Sequence, residues 1–82
     1  MQDETFNQVA SEIAALMGIP ASSLRPETTI VEIGMDSLDG LQLLIELERV
    51  TQTQIEEGDL KRFTTIQSIV DIVNLRLREA AA

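Results

Sequence analysis

No cysteine and no histidine occur in this 82-residue chain, and it has no tryptophan or tyrosine either. Without cysteine no disulfide can form, and without either ligand type the usual zinc sets are excluded, so no metal site is expected. Cysteine usage therefore says nothing about the compartment. The only aromatics are Phe6 and Phe63, so the core must be built from Leu, Ile, Val and Met. Bases are scarce, six against fourteen acids, for a formal net charge of −8. Such a balance repels nucleic acid and anionic membranes and favours partners with basic surfaces. No apolar run approaches the roughly 18 residues of a membrane span. The polar, acidic opening "MQDETFNQ" is unlike a secretory signal. A soluble, cytoplasmic, monomeric protein is expected, with no membrane insertion and no nucleic-acid partner.

What is present suffices to fold. A hydrophobic share of 44% is too high for a disordered acidic tail. The length suits one domain over residues 1–82, near the lower size at which a single core is enough. Phe6, Val9, Ala10, Ile13, Leu16 and Met17 recur at helical spacing, predicting a first helix over residues 3–17. Asp3 and Glu4 suit its first turn, and Gly18 followed by Pro20 stops it. Residues 18–36 have no useful period, and so long a connection should be functional or pinned. Ile19, Leu24, Ile30 and Ile33 are its expected anchors, "PASSL" suggests a short helical turn, and Gly34 permits a tight one.

A second helix is expected from Asp36 as N-cap and Ser37 as first helical residue to about Val50 or Thr51, with Asp39 near its positive end. A short third piece spans Glu57 to Arg62. Thr64, with Gln67 three residues on, reads as the cap of a fourth helix running to about Arg78. Its inner stripe is Ile66, Ile69, Val70, Val73 and Leu77. The expected fold is all-α: a small four-helix bundle with a long structured loop between the first two helices and a short third helix.

The second helix has more apolar residues than one buried face requires. Stepping about 100° per residue puts Leu43, Leu47 and Val50 in one stripe and Leu38, Leu41, Leu44 and Ile45 in another, with Glu48 inside it. So small a domain can hardly bury a helix all round, so the first stripe is read as core and the second as at least partly exposed. From Asp36 to Asp59 the acids Asp36, Asp39, Glu46, Glu48, Glu56, Glu57 and Asp59 face one base, Arg49. An apolar strip rimmed by carboxylates suits a basic partner surface. The expected docking residues are therefore Asp39, Leu41, Leu44, Ile45, Glu48, Glu56 and Glu57, with Glu48 free to meet the partner. Gly40 sits inside this helix, where it costs up to about 1 kcal/mol against alanine.

Ser37 lies in "GMDSLDG". A catalytic serine needs a base within hydrogen-bond reach and a residue to orient it, and the chain has no histidine for the purpose. The segment is no EF-hand, because leucines occupy positions that need a ligand and a glycine. It also lacks the glycine–lysine–serine core of a phosphate loop. Self-contained catalysis is therefore not expected, and modification in trans or a simple capping role remains. A helix N-terminus favours a phosphate group, although Asp36 and Asp39 oppose it.

At these residues the chain resembles the free-standing acyl carrier proteins. "TTIVEIGMDSL" is similar to that family's loop leading into aspartate–serine–leucine, and "RFTTIQSIVDIV" to its approach to the last helix. The resemblance covers most of residues 6–75. It implies a carrier, not an enzyme, with a 4′-phosphopantetheine arm on Ser37, flanked by Asp36 and Leu38, supplying the thiol that the chain lacks. It also implies a phosphopantetheinyl transferase as partner, together with acyl-loading and condensing enzymes of fatty-acid, polyketide or related specialised biosynthesis. Leu43, Leu47, Ile55, Leu60, Phe63 and Ile66 are expected to line a core that an acyl chain can enter. Two other readings stand beside this one: an aminoacyl or peptidyl carrier, and a helical interaction module in which Ser37 only caps.

Overall fold

The computed structural model describes residues 4–81; Asp3, expected in the first helical turn, lies outside them. Three α-helices carry the architecture: α1 (Glu4–Met17), α2 (Ser37–Thr51) and α3 (Ile66–Ala81). Two short 3-10 helices, Ala21–Ser23 and Glu57–Arg62, lie in the connections. They match the helical turn expected at "PASSL" and the expected third piece, and with the latter counted as a helix the four-helix bundle is as expected. No helix among the described residues is long and apolar enough to cross a membrane.

The stripes that set the helices also fill the core. Phe6, Val9, Ala10 and Ile13 of α1 are buried against Leu43, Leu44 and Leu47 of α2 and Ile66, Ile69, Val70, Ile72 and Val73 of α3 in one cluster. Ile55 and Phe63 close that cluster on either side of the second 3-10 helix. Gly18 ends α1 in a left-handed conformation (φ +68°), and both Gly18 and Ile19 donate their N–H to Ala14 O. A Cβ would strain that conformation, which is why glycine stops the helix here.

The connection from residue 18 to 36 is pinned, as its apolar residues suggested. Leu24 is buried, Ile19, Ile30 and Ile33 pack partly against the core, and Met35 is buried as well. The larger constraint is main-chain pairing. Ile30 N–H donates to Thr64 O (3.0 Å), Ile66 N–H to Thr28 O (2.9 Å) and Gln67 N–H to Pro26 O (2.9 Å). Thr29 and Thr65 form an antiparallel bridge within this contact. The loop is thus fastened along the start of α3, and its last turn is set by Gly34 at φ +83°.

Two helix ends differ from expectation. The cap of α3 is Thr65, one residue later than Thr64: its hydroxyl accepts the Ser68 N–H (3.1 Å), while Ser68 Oγ accepts the Thr65 N–H (3.0 Å). Thr64 is instead used in the loop contact, where its carbonyl accepts from Ile30. The helix also continues to Ala81 rather than stopping near Arg78, since nothing after Arg78 breaks it. The alanines there are strong helix formers.

Candidate functional site

Ser37 occupies the first position of α2 and is exposed. Its placement rests on a reciprocal cap: Asp36 Oδ1 accepts the Asp39 N–H (2.9 Å), and Asp39 Oδ2 accepts the Asp36 N–H (3.1 Å). Each aspartate thereby satisfies a main-chain donor of the first turn, and the serine between them is free of capping duty. The sequence identified Asp36 as the cap but missed the return bond from Asp39.

Beside Ser37 opens a cleft of about 270 Å³, lined by Ile30, Met35, Asp36, Ser37, Gly40, Leu60 and Phe63. Ser37 and Asp36 bring the polar atoms; the rest of the wall is apolar. Of the residues expected to line an acyl-accepting core, Leu60 and Phe63 border this cleft, whereas Leu43, Leu47, Ile55 and Ile66 do not line it and are buried in the core. Ile30, Met35 and Gly40 were not foreseen as lining. Met35 could have been: it immediately precedes the N-cap, a position that commonly packs an apolar residue against the helix.

A larger concavity of about 400 Å³ lies among Gln54, Glu56, Arg76 and Glu79, but its one base, Arg76, is already paired. Arg76 donates from Nη2 (2.7 Å) and Nε (3.2 Å) to Asp59 and from Nη1 to Glu79 (2.9 Å). The bonds to Asp59, and then to Glu79, raise the pKa of the guanidinium above its ordinary value. Asp59 is buried, so this pair ties the second 3-10 helix, and with it the Leu60 wall of the cleft, to α3. Counting Asp59 among the exposed acids is therefore corrected.

The outer face of α2 also needs revision. Leu38 is 75% exposed and Ile45 54%, and Leu41 is half-buried, but Leu44 is 3% exposed and belongs to the core. The expectation of an exposed Leu44 fails because α1, α3 and the second 3-10 helix all pack on α2. The buried arc is accordingly Gly40, Leu43, Leu44 and Leu47. Three neighbours cover more of this helix than a surface-to-volume argument allowed. Glu46 is held by Arg49 (2.7 Å). Glu56 and Glu57 are exposed and Asp39 half-buried, while Leu38, Leu41 and Ile45 form the apolar strip on the outer face of α2.

Glu48 has an internal task that the sequence did not reveal. Its carboxylate accepts the Ile55 N–H (2.8 Å), anchoring the segment that follows the helix. Glu48→Lys is therefore not neutral for folding. It should cost about 1 to 3 kcal/mol, the range for losing a charged acceptor from a partly buried donor, while Glu48→Gln retains an acceptor and should cost less. Urea midpoints of the two variants check this.

An exposed serine on a braced helix start, opening onto an apolar cleft in a chain without histidine or cysteine, defines a group-bearing helical module better than a catalyst. Comparison with known proteins agrees. The family model described as "phosphopantetheine attachment site" matches residues 7–73. The acyl carrier protein of Onion yellows phytoplasma is 36% identical over 66 residues, covering 79% of this chain and 87% of that one. That of Campylobacter jejuni subsp. doylei is 30% identical over 71 residues, covering 85% and 92%. Among solved structures, the acyl carrier protein of Thermotoga maritima superposes with a TM-score of 0.78 at 21% identity, covering 98% of this chain and 99% of that one. A mupirocin didomain acyl carrier structure gives 0.80 at 19% identity over 94% of this chain, which spans 42% of that one. The chain belongs to the phosphopantetheine-attachment family, among the acyl carrier proteins. Its cofactor is 4′-phosphopantetheine, and its role is to carry acyl groups.

Proposed function

We propose that Ser37 is the attachment point and that residues 1–82 act as one carrier domain without catalytic activity of its own. The observation that carries this reading is the exposed Ser37 at a capped helix start, on the rim of an apolar cleft. The residues fit the group: the hydroxyl is accessible, the flanking carboxylates are engaged in capping, and Leu38 stands exposed next to it. When bound, the arm supplies a thiol on which cargo is held as a thioester. The chain's own part is to present that arm and to shelter an aliphatic cargo among Leu43, Leu47, Ile55, Leu60, Phe63 and Ile66.

Partners are a phosphopantetheinyl transferase and the enzymes that load and condense acyl groups. Leu38, Leu41 and Ile45, ringed by Asp39, Glu56 and Glu57, offer them an apolar centre with an acidic rim. This matches a basic docking surface, and the charge complementarity acts chiefly on association rate. The net charge of −8 favours a soluble monomer by self-repulsion. The pathway is fatty-acid, polyketide or related biosynthesis, and the fold shared with the mupirocin didomain carrier keeps the specialised branch in view.

The test is intact mass after incubation with coenzyme A and a broad-specificity transferase. A gain equal to one phosphopantetheine arm is expected. An unchanged mass, with the fold intact by circular dichroism, leaves the helical interaction module as the reading.

A further inference from the structure

Gly40 is out of place in a stable helix, and neither backbone nor packing explains it. Its conformation is ordinary α-helix within α2, with no positive φ. An added Cβ would meet only Leu60 Cδ2, at 3.7 Å, an ordinary contact that requires no displacement. Alanine would therefore fit and would favour the helix. What glycine preserves is space, and that space is the cleft beside Ser37, which Gly40 lines together with Met35, Leu60 and Phe63.

The local capping pattern explains why the space lies there. With Asp36 as N-cap, Met35 precedes the cap and Gly40 is the fourth helical residue. In a hydrophobic staple these two positions pack against each other across the helix start. Here the fourth position has no side chain, so Met35 covers one side of a gap instead of closing it. Leu43 and Leu47 follow Gly40 one and two turns further along the same buried arc of the helix.

We infer that Gly40 is the residue that determines which cargo this carrier shelters: its missing side chain holds open the passage between α2 and Leu60 through which an aliphatic acyl chain borne on Ser37 enters the core. The inference rests on the acyl-carrier reading of Ser37. Side-chain volume at position 40 then sets admission, and Leu60 is the opposing wall.

The experiment compares arm-bearing and octanoyl-loaded forms of the wild type, Gly40→Ala, Gly40→Val and Gly40→Ala/Leu60→Ala by thermal melting and by the methyl resonances of Leu43 and Leu47. Attachment of the arm is first verified by mass in every variant, which tests the carrier reading separately. Unloaded Gly40→Ala should melt about 4 °C higher than the wild type, as expected from helix propensity in a domain of this size. Octanoyl loading should raise the wild-type melting temperature and shift both methyl sets. In Gly40→Ala the increment should fall to half or less, in Gly40→Val it should vanish, and trimming Leu60 should restore it in the double variant. A purely structural glycine predicts no such restoration. Equal octanoyl responses in the wild type and both single variants overturn the assignment of Gly40 and leave the carrier reading standing. No response in the wild type, despite verified loading, overturns the sheltered-cargo reading and this inference with it.

Discussion

Ser37→Ala is expected to gain no mass from the transferase and coenzyme A while melting close to the wild type. The two halves of that expectation have different physical origins. Loss of modification follows from removal of the only oxygen on the exposed side chain at the start of α2. Retention of the fold follows from the division of labour at that helix end, where Asp36 and Asp39 cap each other and the serine hydroxyl supports neither. Alanine is also a good residue for the first helical turn. Asp36→Ala provides the contrast: removing a capping carboxylate should cost about 0.5 to 2 kcal/mol and loosen the helix start that positions Ser37. A mass gain that persists in Ser37→Ala would place the arm elsewhere and falsify the assignment.

Leu47→Ala and Ile45→Ala should behave as opposites although they are two residues apart on one helix. Leu47 is 0% exposed and lies among α1, α2 and α3 residues of the core. Its truncation leaves a cavity and should cost about 2 to 5 kcal/mol, a large part of the stability of a domain this small. Ile45 is 54% exposed, so its truncation removes little buried surface and should cost well under the lower end of that range. The functional order should reverse. Ile45→Ala should keep the fold but removes part of the apolar centre of the proposed docking strip, so transferase efficiency should fall. Leu47→Ala, measured where it is still folded, should retain it. Urea midpoints and transferase kinetics on both variants decide the matter. If Ile45→Ala unfolds the domain and Leu47→Ala does not, the docking face must be redrawn around Leu43, Leu47 and Val50.

Much of the fold was legible because it depends on local signals. Periodic apolar residues marked α1 and α3, Gly18 marked an end, and Asp36 marked the start of α2. The motif around Ser37 was legible for the same reason: capping, the Gly34 turn and the following helix all lie within a few residues of it. Even the anchors of the long loop, Ile19, Leu24, Ile30 and Ile33, could be picked out as apolar residues recurring along a mostly polar stretch, although Val31 beside Ile30 is exposed.

The remaining features depend on partners far apart in the chain. Thr65 rather than Thr64 caps α3 because Thr64 lends its carbonyl to Ile30, a pairing that no local pattern encodes. Glu48 looked like a free surface acid until the turn after α2 brought the Ile55 N–H to it. Asp59 looked the same until Arg76, seventeen residues later, packed beside it. Leu44 was assigned to the outer strip because periodicity gives the angle of a side chain about its helix and not the number of neighbours around that helix. By itself the sequence determined the helices, the helix-start serine, the acidic character and the family resemblance, all set by composition and by residues within a turn or two of one another. Only the tertiary structure decided which acids are free, which leucines stay exposed and where the cleft opens, because burial and pairing are properties of surfaces brought together by folding.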